Sequence, residues 1–163
     1  DDYSRYIVHW ELCSNMKVDD VKRTVDTAIV KAKLITKQPP RLLSDNGSCY
    51  IATELKSYLK DQHQMEQVHG RPNHPQTQGK IERWPQTLKN RILLDNYFLE
   101  GALTAAIAAF IDHYNNHRYH ESIANLTPAD VYFGRGETIL AERRRIKHKT
   151  IQNRRLNHHR KAA

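Results

Sequence analysis

The chain has 163 residues, enough for one domain with a sizeable core, and 27% of them are charged against 39% hydrophobic. No run of 18 apolar residues occurs, so no helix is expected to cross a membrane, and the first residues lack the apolar segment of a signal peptide. The formal charge of +8 is uneven: residues 137–163 hold nine Lys/Arg against two Glu, so the preceding residues are close to neutral.

Arg5 to Leu12 alternates apolar Tyr6, Val8 and Trp10 with Arg5, Ile7 and His9, a strand pattern with Trp10 inward. Asp19 and Asp20 then precede a helical segment in which Val18, Val21, Val25, Ile29 and Ala32 recur at spacings of three or four. Pro39-Pro40 ends it, and Arg41 to Ser44 reads as a short buried strand leading into Asp45-Asn46-Gly47. Ile51 to Asp61 reads as an amphipathic helix with Leu55, Tyr58 and Leu59 inward, and Gln64 to Val68 as another strand. Gly70 to Pro75 is loop. Ile81, Trp84, Leu88 and Ile92 give a helix from Thr77, and a second helix covers about Glu100 to Asn116. Thr127 and Pro128 start a short helix as N-cap and first residue. The order of elements is an α/β pattern, with residues 1–136 as the body and 137–163 as a basic tail, helical or disordered. Such a tail binds phosphate backbones non-specifically or is simply solvated; Arg143, Arg144 and Arg145, its densest charge, are its candidate DNA contacts. Cys13 and Cys49 are too far apart in sequence for a CxxC pair and suit a reducing, cytoplasmic setting.

Two carboxylates stand out by context. Asp45 ends a strand, where it is either a turn-former or a ligand, and Glu82 lies in the first turns of a helix. Carboxylates converging at such ends can hold Mg²⁺, which takes hard oxygen ligands, and a pair of ions can activate the attacking oxygen and stabilise the leaving one at phosphorus. Lys80 and Arg83 flank Glu82, and Gln86 and Lys89 lie four and seven residues further on, on the same helical side.

The segments LLSDNGSCY, HPQTQGKIERW, YNNHRYH and LTPADVYFG, after DDYSRYIVHW at the start, resemble in order and spacing the catalytic core of DDE transposases and retroviral-type integrases. The resemblance is nearest to bacterial insertion-sequence transposases and runs from Asp1 to about Gly134. It implies an RNase H-like fold, a mixed sheet flanked by helices, and a site with two Mg²⁺ (or Mn²⁺) ions. It also implies metal-dependent cleavage of insertion-sequence ends and strand transfer of the 3′-hydroxyl into target DNA, carried out by a homo-oligomer in the bacterial cytoplasm. By the same resemblance Asp45 and Glu82 are the second and third metal-binding carboxylates, and Lys80, Arg83, Gln86 and Lys89 contact DNA ends.

Three departures shape the expectations. The family's first Asp lies on a strand upstream of the DDYSRY segment, so the chain is expected to begin after two strands, without that ligand, and to show no strand transfer by itself. An inactive DNA-binding remnant is the alternative. Pro85, three residues past Glu82, would delete a hydrogen bond inside the helix and cost about 3 kcal/mol unless the helix starts late. Asp45 and Glu82 are separated by 36 residues, one more than the family's common spacing. His113, His117 and His120 have metal-ligand spacing, yet they also read as a helix-terminal segment packing on the core. His69 and His74 border the loop before Glu82, where they either contact DNA or substrate or are solvated, the solvated position being the expectation. Trp84, like Trp10, reads as core.

Overall fold

A computed structural model describes residues 1–33, 39–70, 88–90, 92, 97 and 99–162. The chain divides into two compact units, Ile7–Ile111 and Asp1–Tyr6 with Asp112–Ala163. Among the described residues no helix is long and apolar enough to cross a membrane.

The first unit is built on a βαβ arrangement. Helix α1 (Val18–Lys33) opens with Asp19 and Asp20 in its first turn, where carboxylates face the positive end of the helix dipole. The carboxylate of Asp20 also accepts the Lys17 N–H at 3.3 Å. Strand β1 (Leu42–Ser44) is followed by α2 (Ser48–Ile51), α3 (Thr53–His63) and β2 (Gln67–His69). The strands pair in parallel, with Leu42 opposite Gln67, Leu43 opposite Val68 and Ser44 opposite His69. Parallel pairing needs a crossover, and α2 and α3 supply it. The core is Ile29, Leu55, Leu59 and Met65, with Val18, Val21, Val25, Leu42 and Tyr50 packed against it. Leu55 and Leu59 are fully buried, so the three- and four-residue spacings of α1 and α3 face each other as the pattern predicts. At the rim of that contact Tyr58 donates to Asp26 at 2.9 and 3.0 Å, His63 Nε2 sits 2.7 Å from Asp26 Oδ1, and Lys22 pairs with Glu54.

Two expectations change here. The helix read over Ile51 to Asp61 is two helices, because Ala52 is extended (φ −61°, ψ 127°) and its carbonyl starts α3 by accepting from Leu55 and Lys56. Residues 5–12 form no strand. Arg5 takes a left-handed φ of 66°, and a strand needs a hydrogen-bonded neighbour that alternation alone does not supply. The period of two survives in the side chains, since Glu11 accepts from His9 (3.0 Å) and from Arg23 of α1 (2.8 Å). Trp10 is half-buried. Residues 88–90 and 92 are helical. Pro85, Trp84 and the Gly70-to-Pro75 loop beyond Gly70 lie outside the described residues.

Helix α4 (Glu100–Asn116) carries Ile107 and Ile111, both buried. In the second unit its last turn buries Tyr114 and Asn115. A short 3-10 turn (Glu121–Ile123) follows, closed by a bridge between His120 and Leu126. Helix α5 (Pro128–Tyr132) begins as predicted: Thr127 caps it by accepting the Asp130 N–H at 3.2 Å, and Pro128 sits in the first turn. Tyr6 stacks on Tyr132 with ring centres 4.3 Å apart. Helix α6 (Gly136–Ala162) takes up the basic tail. Its start passes so close to Leu126 that a Cβ at Gly136 would lie 3.0 Å from Leu126 Cδ1.

Candidate functional site

Asp45 leaves β1 directly after Ser44, at the carboxyl edge of the parallel pair, the edge where open α/β sheets carry their ligands. Its side chain is exposed. One oxygen, Oδ1, accepts the Gly47 N–H at 3.0 Å, closing an Asx turn. A Cβ at Gly47 would stand 3.0 Å from that oxygen and 3.4 Å from the Tyr50 ring, so glycine lets the turn close this tightly. The other oxygen, Oδ2, makes no hydrogen bond among the described residues.

Behind Asp45 the strand ends are tied together. Ser44 is buried. Its Oγ lies 3.4 Å from His69 Nδ1 and accepts from Gln67 Nε2 at 3.4 Å. Gln67 Nε2 also donates to the Tyr50 carbonyl at 2.7 Å, linking β2 to α2. His69 Nδ1 is also 3.4 Å from the Asp45 carbonyl oxygen. A carbonyl can only accept, so this partner favours the proton on Nδ1 and leaves Nε2 as the acceptor in the neutral ring. His69 is thus the half-buried last residue of β2, not the solvated loop residue expected from its position, because β2 runs to His69 rather than ending at Val68. Burial, then the charges of Cys49 and Asp45, raises the Tyr50 phenol above its ordinary value.

Asp45 supplies the hard oxygen that Mg²⁺ takes. Among the described residues no group of three or more His, Cys, Asp or Glu is arranged to hold a metal ion. Glu82, Lys80, Arg83 and Gln86 lie outside the described residues, as does His74. Lys89 is exposed on the helical residues 88–90. His113 and His117 have ring centres 5.9 Å apart, while His120 packs edge-on against Tyr114 at 4.9 Å, its Nε2 buried without a hydrogen-bond partner among the described residues.

The basic residues of α6 are not equivalent. Arg143 donates to the carbonyls of Ala124 (3.3 Å) and Asn125 (2.9 Å), and its guanidinium lies 5.7 Å from the centre of the Tyr119 ring. Arg145 forks onto Glu142 at 2.7 and 2.8 Å, and this bond holds the Glu142 carboxyl below its ordinary value. Arg144 has no hydrogen bond or ion pair among the described residues. The charge run in the sequence carries no sign of this division; the αL turn at Ala124 and Asn125, which exposes the two carbonyls, is visible only in the backbone (φ 58° and 54°).

Two family models match the chain, both described as integrase core domain, one over residues 1–75 and the other over residues 63–128. Among solved structures the chain is similar to the catalytic core domain of BIV integrase, at 25% identity and a TM-score of 0.50, covering 80% of each chain. It is also similar in fold to a chain of the simian T-cell lymphotropic virus intasome in complex with the PP2A regulatory subunit B56 gamma. There the identity is 17% and the TM-score 0.56, and the match covers 74% of this chain and 41% of that one.

Proposed function

We propose that this chain, which carries an integrase core domain of RNase H-like α/β fold with a role in DNA integration or transposition, serves metal-dependent cleavage of insertion-sequence ends, and transfer of the 3′-hydroxyl into target DNA where the family's first Asp is also supplied. The observation that carries the reading is the placement of Asp45: an exposed carboxylate at the carboxyl edge of the parallel strands, with one oxygen fixed by Gly47 and the other directed to no protein partner among the described residues. In this reading Asp45 and Glu82 hold divalent cations, Mg²⁺ or Mn²⁺. When bound, the cations supply the charge that activates the attacking oxygen and stabilises the leaving one at phosphorus.

The chain's own residues do the rest. The Gly47 N–H orients the Asp45 carboxylate, and the Ser44, Gln67 and His69 contacts hold the strand end that presents it. A fixed carboxylate loses less freedom when it takes a ligand than a mobile one. Lys80, Arg83, Gln86 and Lys89 contact the DNA ends, and the protein works as a homo-oligomer that brings two ends together.

The test is a Mn²⁺ titration of the full chain followed by calorimetry. Wild type binds Mn²⁺, and Asp45→Asn binds at least tenfold more weakly with an unchanged circular dichroism spectrum. Equal affinity in the two proteins overturns the assignment of Asp45.

A further inference from the structure

We propose that one side of α6, formed by Arg144, Lys147, His148, Arg154, Arg155 and His158, is a docking face for the phosphate backbone of duplex DNA, and that Arg143 is the anchor that aims it. The proposal rests on the reading of this domain as one that works on DNA.

Counted from Arg144, these residues recur at three, four, ten, eleven and fourteen positions on, which places them along one side of a helix. The stripe is about 21 Å long at 1.5 Å per residue. Every residue from Arg144 to Arg160 is exposed. None of the stripe's Lys or Arg side chains makes a hydrogen bond or ion pair among the described residues. No acidic residue follows Glu142, so nothing in this stretch neutralises the stripe.

Another helix does not suit this face as an occupant. The exposed apolar residues are Ile146, Ile151 and Leu156. They fall five apart, on three different sides, so no apolar seam runs along α6 for a helical partner or a second copy to cover. Charge complementarity then points to a polyanion. A duplex offers about one phosphate per 1.7 Å of axis, dense enough to meet every cation of a stripe this long.

Arg143 bonds two carbonyls of the Ala124–Asn125 turn and covers Tyr119, and Gly136 brings the start of α6 against Leu126. Arg143 is therefore occupied, and so is Arg145, which Glu142 holds. Anchoring one end of the helix fixes its direction, so the stripe is presented as a line of charge rather than a loose arm.

The test compares two charge-matched double variants of the full chain by fluorescence anisotropy on a 30-base-pair duplex between 50 and 200 mM salt. Arg144→Gln with Arg155→Gln lies on the stripe; Lys149→Gln with Arg160→Gln lies opposite. Each stripe cation in contact with a phosphate contributes about 0.9 to the salt slope. The stripe variant is expected to lose about 1.8 from the slope and roughly 50-fold in affinity at 0.1 M salt, and the opposite variant to keep the wild-type slope. Equal losses in both variants, or no duplex binding by wild type, overturn the proposal. Displacement of the duplex by equimolar structured RNA through the same two residues also overturns DNA as the occupant. Loss of Mn²⁺ binding through Asp45 is read separately: its failure overturns the cleavage reading and leaves the stripe result standing.

Discussion

His69 faces Ser44 across the parallel pair, with Nδ1 3.4 Å from Ser44 Oγ and equally far from the Asp45 carbonyl oxygen. The pairing thereby fixes both the strand end and the first peptide of the turn that holds Asp45. A slip of one residue would turn Ser44 to the other face and away from His69. His69→Phe keeps a ring suited to a strand but removes both nitrogens. It is expected to cost about 1 kcal/mol in urea unfolding. A variant as stable as wild type would show that these long contacts do not hold the strand ends.

Leu59 is fully buried where α3 meets α1. Leu59→Ala removes a side chain from a packed core and is expected to cost between about 2 and 5 kcal/mol. The check is chemical denaturation of the full chain; a loss below about 1 kcal/mol would mean that α1 and α3 are not packed through Leu59.

Arg143 reaches two carbonyls at once because a guanidinium is a planar fork. Arg143→Lys retains the charge but not the fork, so thermal melting should place it close to Arg143→Ala, each about 1 kcal/mol less stable than wild type. Full recovery by lysine would reduce the contact to charge alone.

Much of the architecture was legible in the sequence, and the misses have physical causes. The apolar spacing of Val21, Val25 and Ile29 against Leu55 and Leu59 identified the core, because helical periodicity is imposed by burial. Thr127 and Pro128 marked the start of α5 through capping chemistry that is local. The alternation of residues 5–12 was misleading because a strand exists only with a partner, which is not encoded in the segment itself. Ala52 breaks a helix with a residue that favours helices, so composition gave no warning. At the site, the turn chemistry of Asp45-Asn46-Gly47 was readable, whereas the Ser44–His69 pairing depends on a register 25 residues away. The basic tail was plain as a charge run, but which arginines are occupied depends on the αL carbonyls of Ala124 and Asn125.

His120 gives the second unit a pH dependence. Burial, then the charges of Arg118 and Arg5, holds the imidazole below its ordinary value, so the folded protein takes up this proton less readily than the unfolded chain. The stability it contributes is complete above about pH 6.5 and is lost as the pH falls through the lower folded value. Melting temperatures at pH 7.5 and 5.5 should fall more for wild type than for His120→Gln; equal falls would contradict the assignment.

The most direct measurement of the central claim is nicking of supercoiled plasmid by the full chain, wild type beside Asp45→Asn, in Mn²⁺ and in EDTA. The proposed function predicts nicking by wild type that requires the cation and falls at least 100-fold in Asp45→Asn, while plasmid binding is retained. Plasmid bound by wild type and left intact in Mn²⁺, or nicked equally by both proteins, would contradict it: the first outcome describes a DNA-binding protein without turnover, the second a cleavage that does not pass through Asp45.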